Sequence, residues 1–228
     1  MTTIPPRRSA AAGCDAVVAT SAAQAVAWLA LVALAIVGRL WRPEWNGEPL
    51  WNATPMAAVA LAAGAIFHHR LLALSVPVAA LLVGNLALPA YGSWTMAAVV
   101  VAATSWPVVL GGLLRGAPSS WRHWCQVAGG AVASSLVFFL VTNFAHWALT
   151  SDYPHTPAGL GACFVAALPF YRWLPVGDVV WSVVVFGGLA AIGSLLASLQ
   201  PTALAPAAAA VPARRPGRDD AGRPLPLD

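Results

Sequence analysis

Long runs without a charged side chain decide what this chain can become. Trp124 to Leu149 carries none, and neither does Val179 to Leu199. A helix of about 20 apolar residues crosses the hydrocarbon of a bilayer, where every backbone polar group must be bonded within its own segment. Six such runs are expected, near 22–37, 54–67, 71–88, 95–114, 124–149 and 179–199. Composition agrees, since only 9% of residues are charged and 59% are hydrophobic. A soluble domain carries about 25% charged residues and could not cover this much apolar sequence. The reading is an all-α polytopic membrane protein with six transmembrane helices over 22–199. A tail over 1–21 precedes it, and a Pro/Ala/Arg-rich tail over 200–228 ends the chain. The composition of that second tail predicts disorder, because it offers nothing to bury.

The twelve cationic residues are all arginine. With six spans the two tails share a side with the turns at 68–70 and 115–123, and that side collects every arginine except Arg39, Arg42 and Arg172. Cytoplasmic loops are the basic ones, so both termini are expected in the cytoplasm. Arginine so placed speaks for membrane orientation and against a nucleic-acid partner. The twin Arg7-Arg8 precedes an apolar run, but the residues beyond that run are more membrane sequence, so a retained first span is expected rather than a cleaved signal. Abundant Ala, Arg and Pro without lysine suggest a GC-rich bacterial genome and an inner-membrane location.

Several chemistries find no support. Without lysine the chain has no conventional phosphate-binding loop of an ATPase, and it carries neither H-E-x-x-H nor paired acids. Cys14, Cys125 and Cys163 stand singly, without the spacing of a disulfide framework or a zinc site. No enzymatic activity, cofactor or metal is expected.

What needs explaining is the polar minority. On the expected topology Asn52, Thr54, Asn85, Asn143, His146, Tyr153, Thr156 and Asp178 all fall at the outer side. Polar side chains at membrane depth face the bundle interior or a watery cavity. Their concentration predicts a polar cavity open to the outside, roofed by a short re-entrant or interfacial helix over 158–169. Each residue also has a simpler role open to it. Thr54 and Asp178 suit helix caps, Tyr153-Pro154 a turn, and Asn85, Asn143 and His146 bonds between helices. Ala19, Ala23 and Ala27 form a small-residue face on the first helix, which suits a partner helix. The tryptophans at 41, 45 and 51 read as an interfacial belt.

The motifs N-x-T-P at Asn52–Pro55, F-F-L-V-T-N-F at Phe138–Phe144 and Y-P-x-T-x-x-G-L at Tyr153–Leu160 recur in a known pattern. With A-A-L-P-F at Ala166–Phe170 and G-D at Gly177–Asp178, they resemble a family of small bacterial inner-membrane proteins of unknown function. The resemblance covers about 39–188. That family is distantly similar to the substrate-capture subunits of energy-coupling factor vitamin transporters. This implies an outward binding site for a small solute, with docking onto a transmembrane coupling subunit and its ATPases. Gly84-Asn85 departs from the Ser-Asp pair of that pattern. Two functions stand open: a substrate-binding, transport-related subunit, or a membrane scaffold that pairs its polar residues internally and binds no solute.

Overall fold

The computed structural model describes residues 10–41, 44–45, 47–50, 52–88, 91–115 and 120–199. Contacts divide the chain into a unit over 1–191 and a second over 192–228. In the latter only the final turns of the last helix are described.

Among the described residues eight helices run in order: α1 (Ala10–Leu40), α2 (Met56–Ile66), α3 (Arg70–Gly84), α4 (Trp94–Ser105), α5 (Pro107–Gly111), α6 (Trp121–Leu149), α7 (Pro157–Tyr171) and α8 (Leu174–Leu199). Between α1 and α2 a small antiparallel ribbon pairs β1 (Glu44–Trp45) with β2 (Glu48–Pro49). It turns at Gly47, whose φ of 77° is open to glycine and costly for other residues. A plain loop was expected there. The first helix also starts earlier than residue 22, reaching back to Ala10 through what the sequence suggested was tail. The tail over 200–228 and Trp51 lie outside the described residues.

Among the described residues four helical stretches are long and apolar enough to cross a membrane: Ser21–Leu40, Trp94–Gly111, Trp121–Leu149 and Leu174–Leu199. Of the six expected spans, the second and third are shorter, as α2 and α3. Eleven residues of α2 rise about 16 Å against a hydrocarbon thickness of about 30 Å. The chain shortens α2 by carrying non-helical backbone into the bundle ahead of it. Ala53 lies against α8, where the Trp181 indole N–H donates to its carbonyl at 3.3 Å. Gly177 lies beside it too, and a Cβ there would come within 2.7 Å of the Ala53 Cα. Irregular backbone at such a position survives because protein covers it.

Helix α2 is the centre of the bundle. Eight of its residues, among them every position from Ala58 to Gly64, are buried. A helix apolar on all sides is expected inside a bundle, not on its surface. Its closest neighbour is α5. A Cβ on Gly64 would collide with the Val108 carbonyl, and one on Gly111 would collide with the Leu61 carbonyl. The two backbones therefore touch through a reciprocal pair of glycines, the close approach that small residues allow in membranes.

The outer helices show the opposite pattern. In α8 the buried positions Leu174, Gly177, Asp178, Ser182, Val185 and Phe186 form one stripe. Val176, Val180, Val183 and Val184 on other faces are exposed. A water-facing helix would be polar there, so these valines suit a hydrocarbon surround. Pro107 divides the fourth run. It supplies no N–H, and helical bonding is re-formed beyond it with Pro107 as the first residue of α5.

Candidate functional site

The end of α1, the segment before α2, and the stretch joining α3 to α4 meet at one end of the bundle. There they enclose, with α4, α6 and α8, a cavity of about 470 Å³. That volume falls within the range of small-molecule sites, about 300–1,000 Å³. Most of its wall is apolar, with Met56, Val100, Phe138 and Leu174 among the lining residues. Against this background a few polar groups stand out.

Arg39, one residue before the end of α1, reaches over the mouth. Its Nη2 donates to Asn85 Oδ1 at 2.8 Å and to the Tyr91 hydroxyl at 3.2 Å. Its Nε is enclosed and has no hydrogen-bond partner among the described residues. Gly84 makes room for the arginine stem, since a Cβ there would lie 3.1 Å from Arg39 Cδ. Asn85 thus belongs to the site through Arg39, and Arg39 and Tyr91 line the cavity themselves.

Asp178 lies deeper, in the second turn of α8, and is 3% exposed. The Ser135 hydroxyl, at the middle of α6, donates to its Oδ2 at 2.6 Å. Among the described residues no cation lies within ion-pair distance of it. The expectation that Asp178 caps a helix does not hold, because α8 begins four residues earlier at Leu174-Pro175. Proline is at home in that first turn, where its missing N–H has no intrahelical acceptor.

Three hydroxyls complete the wall. Thr104 donates to Val100 O, Ser134 to Gly130 O and Thr142 to Phe138 O, each at 2.7 Å. All three residues line the cavity. Asn52 and Thr54 line it as well, on the segment before α2. Asn52 has a φ of 63°, a left-handed conformation that asparagine tolerates better than most residues. Thr54 does not cap α2: the helix starts at Met56 after Pro55, with no side-chain cap.

The other sequence candidates form a separate cluster at the joint between α6 and α7. Asn143 Nδ2 donates to Phe139 O at 2.7 Å, within its own helix. His146 Nε2 lies 3.1 Å from Asp152 Oδ2, with the Tyr153 ring edge-on at 6.2 Å. The Thr156 hydroxyl accepts from Gly159 N at 3.1 Å and caps α7, whose first residue is Pro157. Asn143, His146, Tyr153 and Thr156 do not line the cavity. Their bonds fold the turn that sends α7 back across the end of α6, where Phe139 stacks on Tyr171 at 4.4 Å. Of the alanine face on α1, Ala27 packs against the core while Ala23 is exposed; the side chain of Ala19 lies outside the described residues.

Sequence reasoning therefore found Asn52, Thr54 and Asp178 on the cavity wall, put Arg39 at the outer side without giving it a place in the site, and missed Tyr91, Thr104 and Ser134. An arginine at the end of an apolar run looks like an ordinary interfacial residue. A hydroxyl inside such a run looks tolerated rather than placed, because it can bond its own helix.

A model of one family, described as a family of unknown function (DUF6580), matches residues 20–201. No curated protein and no solved structure matches the chain.

Proposed function

The chain belongs to this family of unknown function, and we propose that it acts as a membrane-embedded solute-binding protein, a transport-related subunit that captures a small molecule from outside the cell. One observation carries the reading. A cavity large enough for a small molecule is walled by polar groups from separate helices, among them a buried carboxyl with no cation beside it among the described residues. Burying charged and polar groups is costly unless something bonds them. A scaffold would gain nothing from keeping such a space open, and its polar groups would be expected to pair across it.

The direction of the opening follows from the arginines. If the basic turns at 68–70 and 115–123 face the cytoplasm, the cavity opens to the opposite side, the periplasm of a bacterial inner membrane. The chain has no nucleotide site of its own by sequence, so any transport would be powered through partners. A transmembrane coupling subunit with ATPases fits that role, and the Ala-rich α1 is the surface to which it would dock.

The test is thermal-shift screening of the purified protein against vitamins and other small solutes, with Ala57→Phe as a variant whose cavity is filled. At least one compound should raise the melting temperature of the native protein and leave the filled variant unmoved. Failure of every compound to stabilise the native protein would sink the proposal.

A further inference from the structure

The hydrogen-bonding capacity of the wall is sorted by sign from the mouth of the cavity to its floor. At the mouth, beside Asn52 and Thr54, which can donate or accept, two groups offer donors. Arg39 has donors only, and its Nε is enclosed without a partner among the described residues. The Tyr91 oxygen already accepts from Arg39 Nη2, so its own proton is free to point elsewhere. On the inner wall the groups accept. Thr104 and Ser134 have one hydroxyl proton each, and each has given it to the carbonyl four residues back in its own helix. Toward the cavity they have lone pairs to offer. Asp178, once ionised, is acceptor-only as well.

The two sets lie at different depths. Tyr91 precedes the start of α4, and from Trp94 to Thr104 is about 15 Å along the helix axis. Ser134 stands near the middle of α6, one residue from the serine that holds Asp178. Arg39 and Asp178 each lack a partner of opposite charge among the described residues, although both line one cavity. Between them the wall is apolar, formed by residues such as Met56 and Val100.

From this geometry we propose that the cavity selects a small dipolar molecule. Its anionic group faces Arg39 and Tyr91, its body is apolar, and its cationic, hydrogen-bond-donating group faces Asp178 and the inner hydroxyls. Such a ligand supplies the half-buried Arg39 and the buried Asp178 each with the counter-charge it lacks among the described residues, which no singly charged or neutral solute does. The inference rests on the solute-binding reading and narrows it.

Calorimetric titration of the full chain in lipid nanodiscs tests it with matched probes. The dipolar probes are 4-(aminomethyl)benzoate and 8-aminooctanoate; benzoate, benzylamine, octanoate and octylamine carry one charge each. The expected result is that at least one dipolar probe binds about tenfold or more tighter than both of its single-charge counterparts, the difference made by one charge-assisted hydrogen bond. Arg39→Gln should abolish the advantage over the amine, Arg39→Lys should restore part of it, and Asp178→Asn should abolish the advantage over the carboxylate. Arg39→Lys keeps the charge, so its recovery separates lost recognition from lost folding. Equal binding of dipolar and singly charged probes would overturn the dipolar class, as would absence of binding by every probe. In either case a stabilising compound from the thermal-shift screen that Ala57→Phe no longer binds would leave the solute-binding reading in place.

Discussion

Asp178 and Ser135 are the pair on which the interior turns. A carboxyl this deeply buried with one hydrogen bond to a side chain is poorly compensated. Removing its partner alone is expected to be worse than removing both. Ser135→Ala should cost about 1–3 kcal/mol of stability, the penalty for an unsatisfied buried polar group. Ser135→Ala combined with Asp178→Leu should return to within about 1 kcal/mol of the native protein, since an apolar pair of similar size leaves nothing unsatisfied. The same double variant should bind no dipolar probe. Denaturation in detergent measures the first two quantities and calorimetry the third. A double variant less stable than Ser135→Ala would mean that Asp178 is retained for folding. The sequence showed Asp178 as an oddity but gave it the wrong structural neighbourhood. Gly177-Asp178 resembles a helix start, and only the fold reveals that Leu174-Pro175 is the start and Ser135 the partner. Arg39 was hidden for a related reason. Its partners Asn85 and Tyr91 stand 46 and 52 residues away, and no local pattern joins them.

At the scale of elements, α2 shows how a helix too short to span can still organise a membrane bundle. Its Ala/Gly content can be read from the sequence, but the run near 54–67 was expected as a full span, longer than the 11 residues of α2. Its neighbour was not visible, because a glycine facing a carbonyl on another helix has no signature distinct from any other glycine. The consequence is testable by comparing glycines in helices. Gly64→Ala and Gly111→Ala each place a methyl group against backbone of the partner helix. Backbone cannot step aside as a side chain can, so each change should cost about 1–3 kcal/mol by forcing α2 and α5 apart. Gly129→Ala in α6 meets nothing within 4 Å. It should be neutral or stabilising by up to about 1 kcal/mol, as helix propensity alone dictates. Equal effects at all three sites, read from thermal melts, would remove the close α2–α5 contact from the account. The joint between α6 and α7 was better foreseen. Its short apolar helix, Pro157–Tyr171, lies close to the 158–169 expected, because Thr156-Pro157 is a start signal of the kind that local sequence does encode; it does not roof the cavity as expected, since none of its residues lines the wall.

At the scale of the whole molecule the question is how often the chain crosses the membrane and which way the cavity faces. Apolar runs and arginine bias are global sequence signals, and from them six spans with both termini in the cytoplasm are expected. Length sets a stricter criterion. Helices α2 and α3, with 11 and 15 residues, are short of the about 20 that a span needs. Two arrangements therefore differ only in the turn at 68–69: two short crossings would place it on the face opposite the cavity, and a hairpin that enters and returns would not. Both residues of that turn are exposed. In a background with Cys14, Cys125 and Cys163 replaced, single cysteines at Ser151→Cys, Ser120→Cys and His68→Cys report on three turns with a membrane-impermeant maleimide. We expect Ser151→Cys to react in intact cells, because it lies beside the α6–α7 joint at the end of α6 that the cavity shares. Ser120→Cys, next to Arg115 and Arg122, should react only after permeabilisation. His68→Cys should behave like Ser120→Cys, since Arg115 Nη2 donates to the Phe67 carbonyl at 3.3 Å and ties the two turns to one end of the bundle. Labelling of His68→Cys from outside would convert α2 and α3 into a re-entrant hairpin and reduce the crossings to four. Labelling of Ser120→Cys from outside, with Ser151→Cys protected, would invert the molecule, and the cavity would then draw its ligand from the cytoplasm.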